Sequence, residues 1–167
     1  MKRLAIPFVV VALLLAGCTS TAQTGATPAA VEVTSTPTPT PTVLTTDAAG
    51  KLYLSAVCPS NTAADGLTAA LKGDDLPTVV AAAGKISDTS RAGALILDDP
   101  MTIWPDSVAT DIKTVRDQLL AQIQYASQVA AAATVSDANF VIYKGSGDPV
   151  AAQRIRLHLN LPSDTTC

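Results

Sequence analysis

The chain has one histidine, His158, standing between Leu157 and Leu159 in a stretch of helical periodicity. One imidazole can act as a general base or complete a nucleophilic triad, and Ser and Asp are plentiful enough to partner it. No G-x-S-x-G turn and no S-x-x-K pair presents a nucleophile, however, and no P-loop occurs. A multi-histidine metal site is excluded by count, and no Glu or Cys stands at ligand spacing from His158. His158 is therefore expected at the boundary of a helix, without a catalytic role. Asp74-Asp75 and Asp98-Asp99 carry the charge a calcium ion would need, but each adjoins a helix boundary where capping accounts for it. Asp106 and Asp117 fall about three helical turns apart, too far for a carboxylate dyad, and suit a solvated face. Gly145-Ser146-Gly147-Asp148 has half the pattern of a phosphate loop, lacks its third glycine and preceding strand, and reads as a hinge between helices. The expectation is no catalytic residue, no metal and no cofactor.

Two further groups could bind without reacting. Lys144, Arg154, Arg156 and His158 are the one basic concentration. They could meet anionic headgroups or an acidic partner, although a solvated helix face is sufficient. Tyr53, Trp104, Tyr125, Phe140 and Tyr143 are expected to anchor a core, with the lining of a ligand cavity as the alternative. The chain's net charge is −3. Such a balance excludes nucleic acid as a partner, because that binding needs a basic stripe to displace counterions.

The N-terminus places these residues in a compartment. Lys2 and Arg3 precede an apolar run from Leu4 to Gly17, interrupted by Pro7. About twenty apolar residues are needed to cross a bilayer core as a helix, so this shorter run reads as an export signal. It ends in Leu15-Ala16-Gly17-Cys18, which resembles the lipobox of bacterial lipoproteins at all four positions. The resemblance implies cleavage between Gly17 and Cys18 and diacylglycerol attached to the Cys18 thiol. It implies a mature protein held by lipid on the extracytoplasmic face of a bacterial membrane. Acyl chains contribute roughly 0.8 kcal/mol per buried methylene, so stable anchoring takes more than one chain. Loss of Lys2 and Arg3 with the signal takes the net charge from −3 to −5.

After Cys18 the composition is that of a tether, over 18–46. Thr19 to Thr46 holds eleven Thr, and its centre alternates as Thr36-Pro37-Thr38-Pro39-Thr40-Pro41-Thr42. Proline lacks a backbone donor and restricts the residue before it, so neither helix nor ladder can form there. Polyproline II and coil are expected, with a reach between about 30 Å and roughly 90 Å. Thr/Pro-rich stalks also accept O-glycans.

The remaining 47–167 reads as one all-α domain, an up-and-down bundle of about four helical stretches. The composition is rich in Ala, which loses no side-chain entropy in a helix. The first stretch runs from Asp47 with Leu52, Ala56, Ala63, Leu67 and Leu71 near one face. Pro59 should kink or interrupt it, with Ser60 capping the restart and Gly73 closing it. The second opens at Asp75 with Pro77 in its first turn and keeps the period through Val79, Val80, Ala83, Ile86, Ser90, Ala94 and Leu97. The third begins after Trp104-Pro105 and carries the stripe Val108, Ile112, Val115, Leu119, Ala126, Val129 and Ala133. Asp111, Lys113, Asp117 and Gln118 fall away from that stripe. The fourth is capped at Ser136-Asp137, breaks at Gly145-Ser146-Gly147 and resumes to Leu161-Pro162. Phe140-Val141-Ile142-Tyr143 could be a strand, but no partner strand is evident, so helix is preferred. The domain also resembles Ala-rich lipoproteins of high-GC Gram-positive bacteria in its Trp104-Pro105 helix start and in Leu161-Pro162 near a terminal Cys.

With Cys18 lipidated, Cys58 and Cys167 remain in an exported chain without metal or redox spacing, and a disulfide between them is expected. The functional expectation is a membrane-anchored, non-enzymatic module that binds an envelope protein or cell-wall component. The alternative is a carrier with an apolar cavity between helices. An enzyme with an unrecognised site is the third possibility.

Overall fold

Thr45 opens the first helix, α1 (Thr46–Ala70), its hydroxyl oxygen accepting the backbone N–H of Ala48. The structure is a computed structural model that describes residues 41–145, 147–162 and 167. Asp75 caps α2 (Leu76–Leu97) through the N–H of Thr78, and Pro77 sits in the first turn as its pattern requires. Asp106 begins α3 (Asp106–Ala130) directly after Trp104-Pro105. Two short helices follow, α4 (Val135–Asn139) and α5 (Ala151–His158). The protein is an all-α bundle, as its periodicity implies.

The three long helices run up, down and up, with α2 packed against both α1 and α3. Their meeting point is marked by Ser60, Ser90 and Gln122, one from each helix. Ser60 Oγ and Ser90 Oγ lie 2.9 Å apart, and both hydroxyls donate to Gln122 Oε1, at 2.6 and 2.9 Å. This polar layer divides the apolar interior. On one side α1, α2, α3 and α5 enclose Tyr53, Val57, Leu97, Val108, Ile112 and Ile155. On the other Leu67, Val79, Ala83, Ile86, Ala126 and Val129 close under Ala138 of α4. Each such Val, Leu or Ile contributes roughly 1.5–3 kcal/mol by leaving water.

Four expectations are corrected. Pro59 lies inside α1 without ending it, and Ser60 turns inward to the polar layer and does not cap. A proline in a helix interior costs about 3 kcal/mol, and burial of Ala56, Val57 and Ser60 beside it offsets that cost. The helix after α3 is capped by Thr134, whose oxygen accepts from Asp137 N–H, and it lasts five residues. Phe140–Tyr143 is neither helix nor strand. Thr42 and Val43, in composition part of the tether, form a two-residue strand β1 (Thr42–Val43) parallel to β2 (Thr102–Ile103). The pairing is parallel because β1 leads into α1 and β2 into α3, and those helices point the same way.

Helix α5 runs back along α3 and ends in a Schellman motif. Asn160 takes a left-handed φ of 54°, and Leu161 N–H donates to the Arg156 carbonyl at 2.8 Å. This turn carries the chain across the start of α1, where Leu161 lies against Gly50. Cys167 is disulfide-bonded to Cys58 of α1, with a Cα–Cα separation of 5.5 Å.

Candidate functional site

Leu15, Ala16, Gly17 and Cys18 lie outside the described residues, so the lipobox has no structural description. Among the described residues no helix is long and apolar enough to cross a membrane. His158 is exposed at the last turn of α5, and its imidazole makes no hydrogen bond with a described residue. Among the described residues no group of three or more His, Cys, Asp or Glu side chains is placed to hold a metal. Asp99 closes the α2–β2 turn, accepting from Met101 N–H and the Thr102 hydroxyl. Its neighbour Asp98 pairs with Arg116, which also holds Asp117.

The basic concentration divides: Lys144 and His158 are exposed, whereas the two arginines are engaged. Arg154 donates from Nε and Nη2 to the two oxygens of Asp111 and from Nη1 to Asp148. Asp111 is buried, although spacing placed it away from the apolar stripe. The Val150 backbone N–H, with Arg154, holds the Asp148 carboxyl below the usual carboxylate range. Arg156 is buried outright, with 3 % of its surface exposed, and its Nη1 donates to the Pro162 carbonyl at 3.0 Å. An arginine stem can line an apolar wall, so a helix-borne Arg next to Ile155 carries no sequence mark of burial.

The aromatic residues divide similarly. Tyr53 and Trp104 are core residues, whereas Phe140 is 80 % exposed and therefore not an anchor. Tyr143 packs edge-on against Tyr125, with ring centroids 5.7 Å apart, and donates its hydroxyl to the Gln118 carbonyl. The Trp104 indole N–H is sealed from solvent without an acceptor among the described residues.

Of the concave surfaces on the described residues, two combine features that could hold a partner or a ligand. The larger, about 640 Å³, is an open groove along the outer seam of α1 and α2. Ala63, Gly66 and Ala70 on α1 face Thr78, Ala81 and Ala82 on α2, with Lys85 at the side. The groove exists because these side chains are too small to fill the seam; a Cβ added at Gly66 meets nothing within 4 Å. The smaller is a cleft of about 140 Å³ between α1, α3 and α5. Tyr53, Asn61, Gln122, Gln153 and Arg156 supply its polar groups, and Val57 and Leu119 part of its apolar wall. Burial pushes the Tyr53 hydroxyl above its ordinary value, partly opposed by the Arg156 charge. Neither surface was legible in the sequence, since each is assembled from helices far apart in the chain. The nearest signal was Ser90 on the apolar face of its helix, which marks the polar layer beside the cleft.

No family model matches the chain, and no curated protein or solved structure matches it either.

Proposed function

We propose that this chain is a lipid-anchored, extracytoplasmic binding module that holds an apolar segment of another envelope protein in the α1–α2 groove. The groove carries the reading. At about 640 Å³ it is far larger than the cleft between α1, α3 and α5, it is open along two long helices, and Ala, Gly and Thr dominate its lining. Small side chains let a partner helix or extended segment approach both backbones closely, as ridges settle into grooves. Lys85 is the ionisable group in this lining, and no nucleophile–base pair stands beside it. Binding therefore suits the surface better than catalysis. The lipobox at Leu15–Cys18 and the Thr/Pro tether support presentation of the domain at a distance from the membrane.

A photo-crosslinking residue at Ala81, in the native cell envelope, tests the groove. A discrete protein adduct that disappears when Gly66→Leu fills the seam is the expected outcome. No adduct, or one indifferent to Gly66→Leu in a chain of unchanged helicity, would sink the proposal. The anchor is tested separately by Cys18→Ser, which should leave an uncleaved or shed protein that no longer partitions with detergent. A processed mutant still bound to membranes would refute it.

A further inference from the structure

The cleft between α1, α3 and α5 contains a buried cation without a counter-charge among the described residues. Arg156 is 3 % exposed, and its side-chain acceptor among the described residues is the neutral Pro162 carbonyl, at Nη1. The ion pairs of the described residues join Arg154 to Asp111 and Asp148, Arg116 to Asp98 and Asp117, and Lys51 to Asp47, so none of these carboxylates pairs with Arg156. A guanidinium taken out of water without an anion is costly, and burial of this kind is retained where something else supplies the charge.

The vacant groups have a definite geometry. With Nη1 engaged by Pro162, the edge formed by Nε and Nη2 has no acceptor among the described residues. That edge presents two parallel N–H donors, the arrangement that matches the two oxygens of a carboxylate. Tyr53, 2 % exposed, lines the same cleft, and its hydroxyl has no hydrogen-bond partner among the described residues. The sealed side-chain polar atom without a partner among those residues is Trp104 Nε1, elsewhere in the fold, so the unmatched groups of Arg156 and Tyr53 keep a narrow contact with solvent, and both residues line the cleft. Gln122 and Gln153 add amides to the lining, and Val57 and Leu119 provide apolar wall.

We infer that this cleft is a binding site for a small monocarboxylate, with Arg156 gripping the two oxygens side-on and the Tyr53 hydroxyl donating a third hydrogen bond. The cavity of about 140 Å³ suits a compact acid with a short aliphatic or hydroxylated chain. The Gln153 amide can accept from or donate to a polar substituent on it, and Gln122 Nε2 can donate, its oxygen being taken by Ser60 and Ser90. The site is independent of the groove on the opposite seam of α1, and its failure would leave the docking proposal standing.

The test is a titration of the full chain in detergent, disulfide intact, with acetate, lactate and inorganic phosphate, read at the Nε–Hε resonance of Arg156. A saturable shift with the carboxylates is expected. Affinity, read by calorimetry, should weaken tenfold or more in Arg156→Gln and several-fold in Tyr53→Phe, with the fold preserved by circular dichroism. Arg156→Lys keeps the charge and loses the two-donor edge, so it should also lose most of the affinity, which covers the case in which Arg156→Gln does not fold. Absence of a saturable shift overturns the site, as does unchanged affinity in both Arg156→Lys and Tyr53→Phe. Tighter binding of phosphate than of either acid overturns the carboxylate assignment. Asp164 lies outside the described residues, and acetate binding that emerges only in Asp164→Asn would show that the chain supplies its own anion.

Discussion

Arg154 and Arg156 are two residues apart on one short helix and have opposite fates. Arg154 reaches outward to two carboxylates, Asp111 and Asp148, while Arg156 turns in beside Tyr53. Spacing on α5 separates their faces, but it does not reveal which face meets α1 and α3. That is why a basic concentration read along the chain dissolves into one paired and one buried guanidinium. Tyr53 offers a test at this scale. Burial raises its hydroxyl in the folded chain above the ordinary value near 10. As pH climbs past that value, the unfolded chain releases the proton and the folded chain keeps it, so stability falls with rising pH. Tyr143, raised by burial as well, adds to the same trend. The denaturation midpoint should therefore drop between pH 9 and pH 11, and Tyr53→Phe should flatten part of that drop. A midpoint in Tyr53→Phe that falls as steeply as in the native chain would contradict the assignment.

Among elements, the seam between α1 and α2 sets the strictest requirement. A Cβ at Gly93 would stand 2.2 Å from the Ala56 carbonyl oxygen, a backbone atom that can yield only if the helices separate. Gly66 and Gly84, on the same pair of helices, meet nothing within 4 Å. The three glycines should respond in opposite senses to one substitution. Gly93→Ala should destabilise by about 2 kcal/mol or more, as overpacking does. Gly66→Ala and Gly84→Ala should each stabilise by up to about 1 kcal/mol, through helix propensity and a less flexible unfolded chain. Urea denaturation of the three variants decides the matter, and a stabilising Gly93→Ala would mean the helices are further apart than described. The three long helices were legible because each repeats apolar residues over many turns. The region after α3 was not, because five helical residues carry too little periodicity to distinguish. Phe140 and Ile142 escape burial although they are apolar, since α4 stops at Asn139 and Phe140–Tyr143 has no regular partner.

At the scale of the whole molecule, the Cys58–Cys167 bond spans a sequence separation of 109 and secures the tail after α5 to the first helix. Chain entropy for a loop of that size predicts a contribution of roughly 4–5 kcal/mol, less any native strain. Reduction, or Cys167→Ser, should lower the unfolding free energy by about 2–5 kcal/mol, measured by denaturant titration with and without reductant. A change below about 0.5 kcal/mol would show that α5 and the tail are held without it. The pairing itself was readable once Cys18 was set aside, because two remaining thiols leave one partner for each. The all-α class, the three long helices and the cap at Asp75 likewise belong to the sequence alone. They depend on local periodicity and capping chemistry, both of which act between near neighbours. Tertiary structure alone decided that α1 runs through Pro59, that Ser60, Ser90 and Gln122 meet, that Thr42–Val43 joins the domain and that Arg156 is buried. Each of those depends on a surface contributed by a distant part of the chain. Burial and hydrogen bonding across that distance outweigh the local preference that a single stretch of residues expresses.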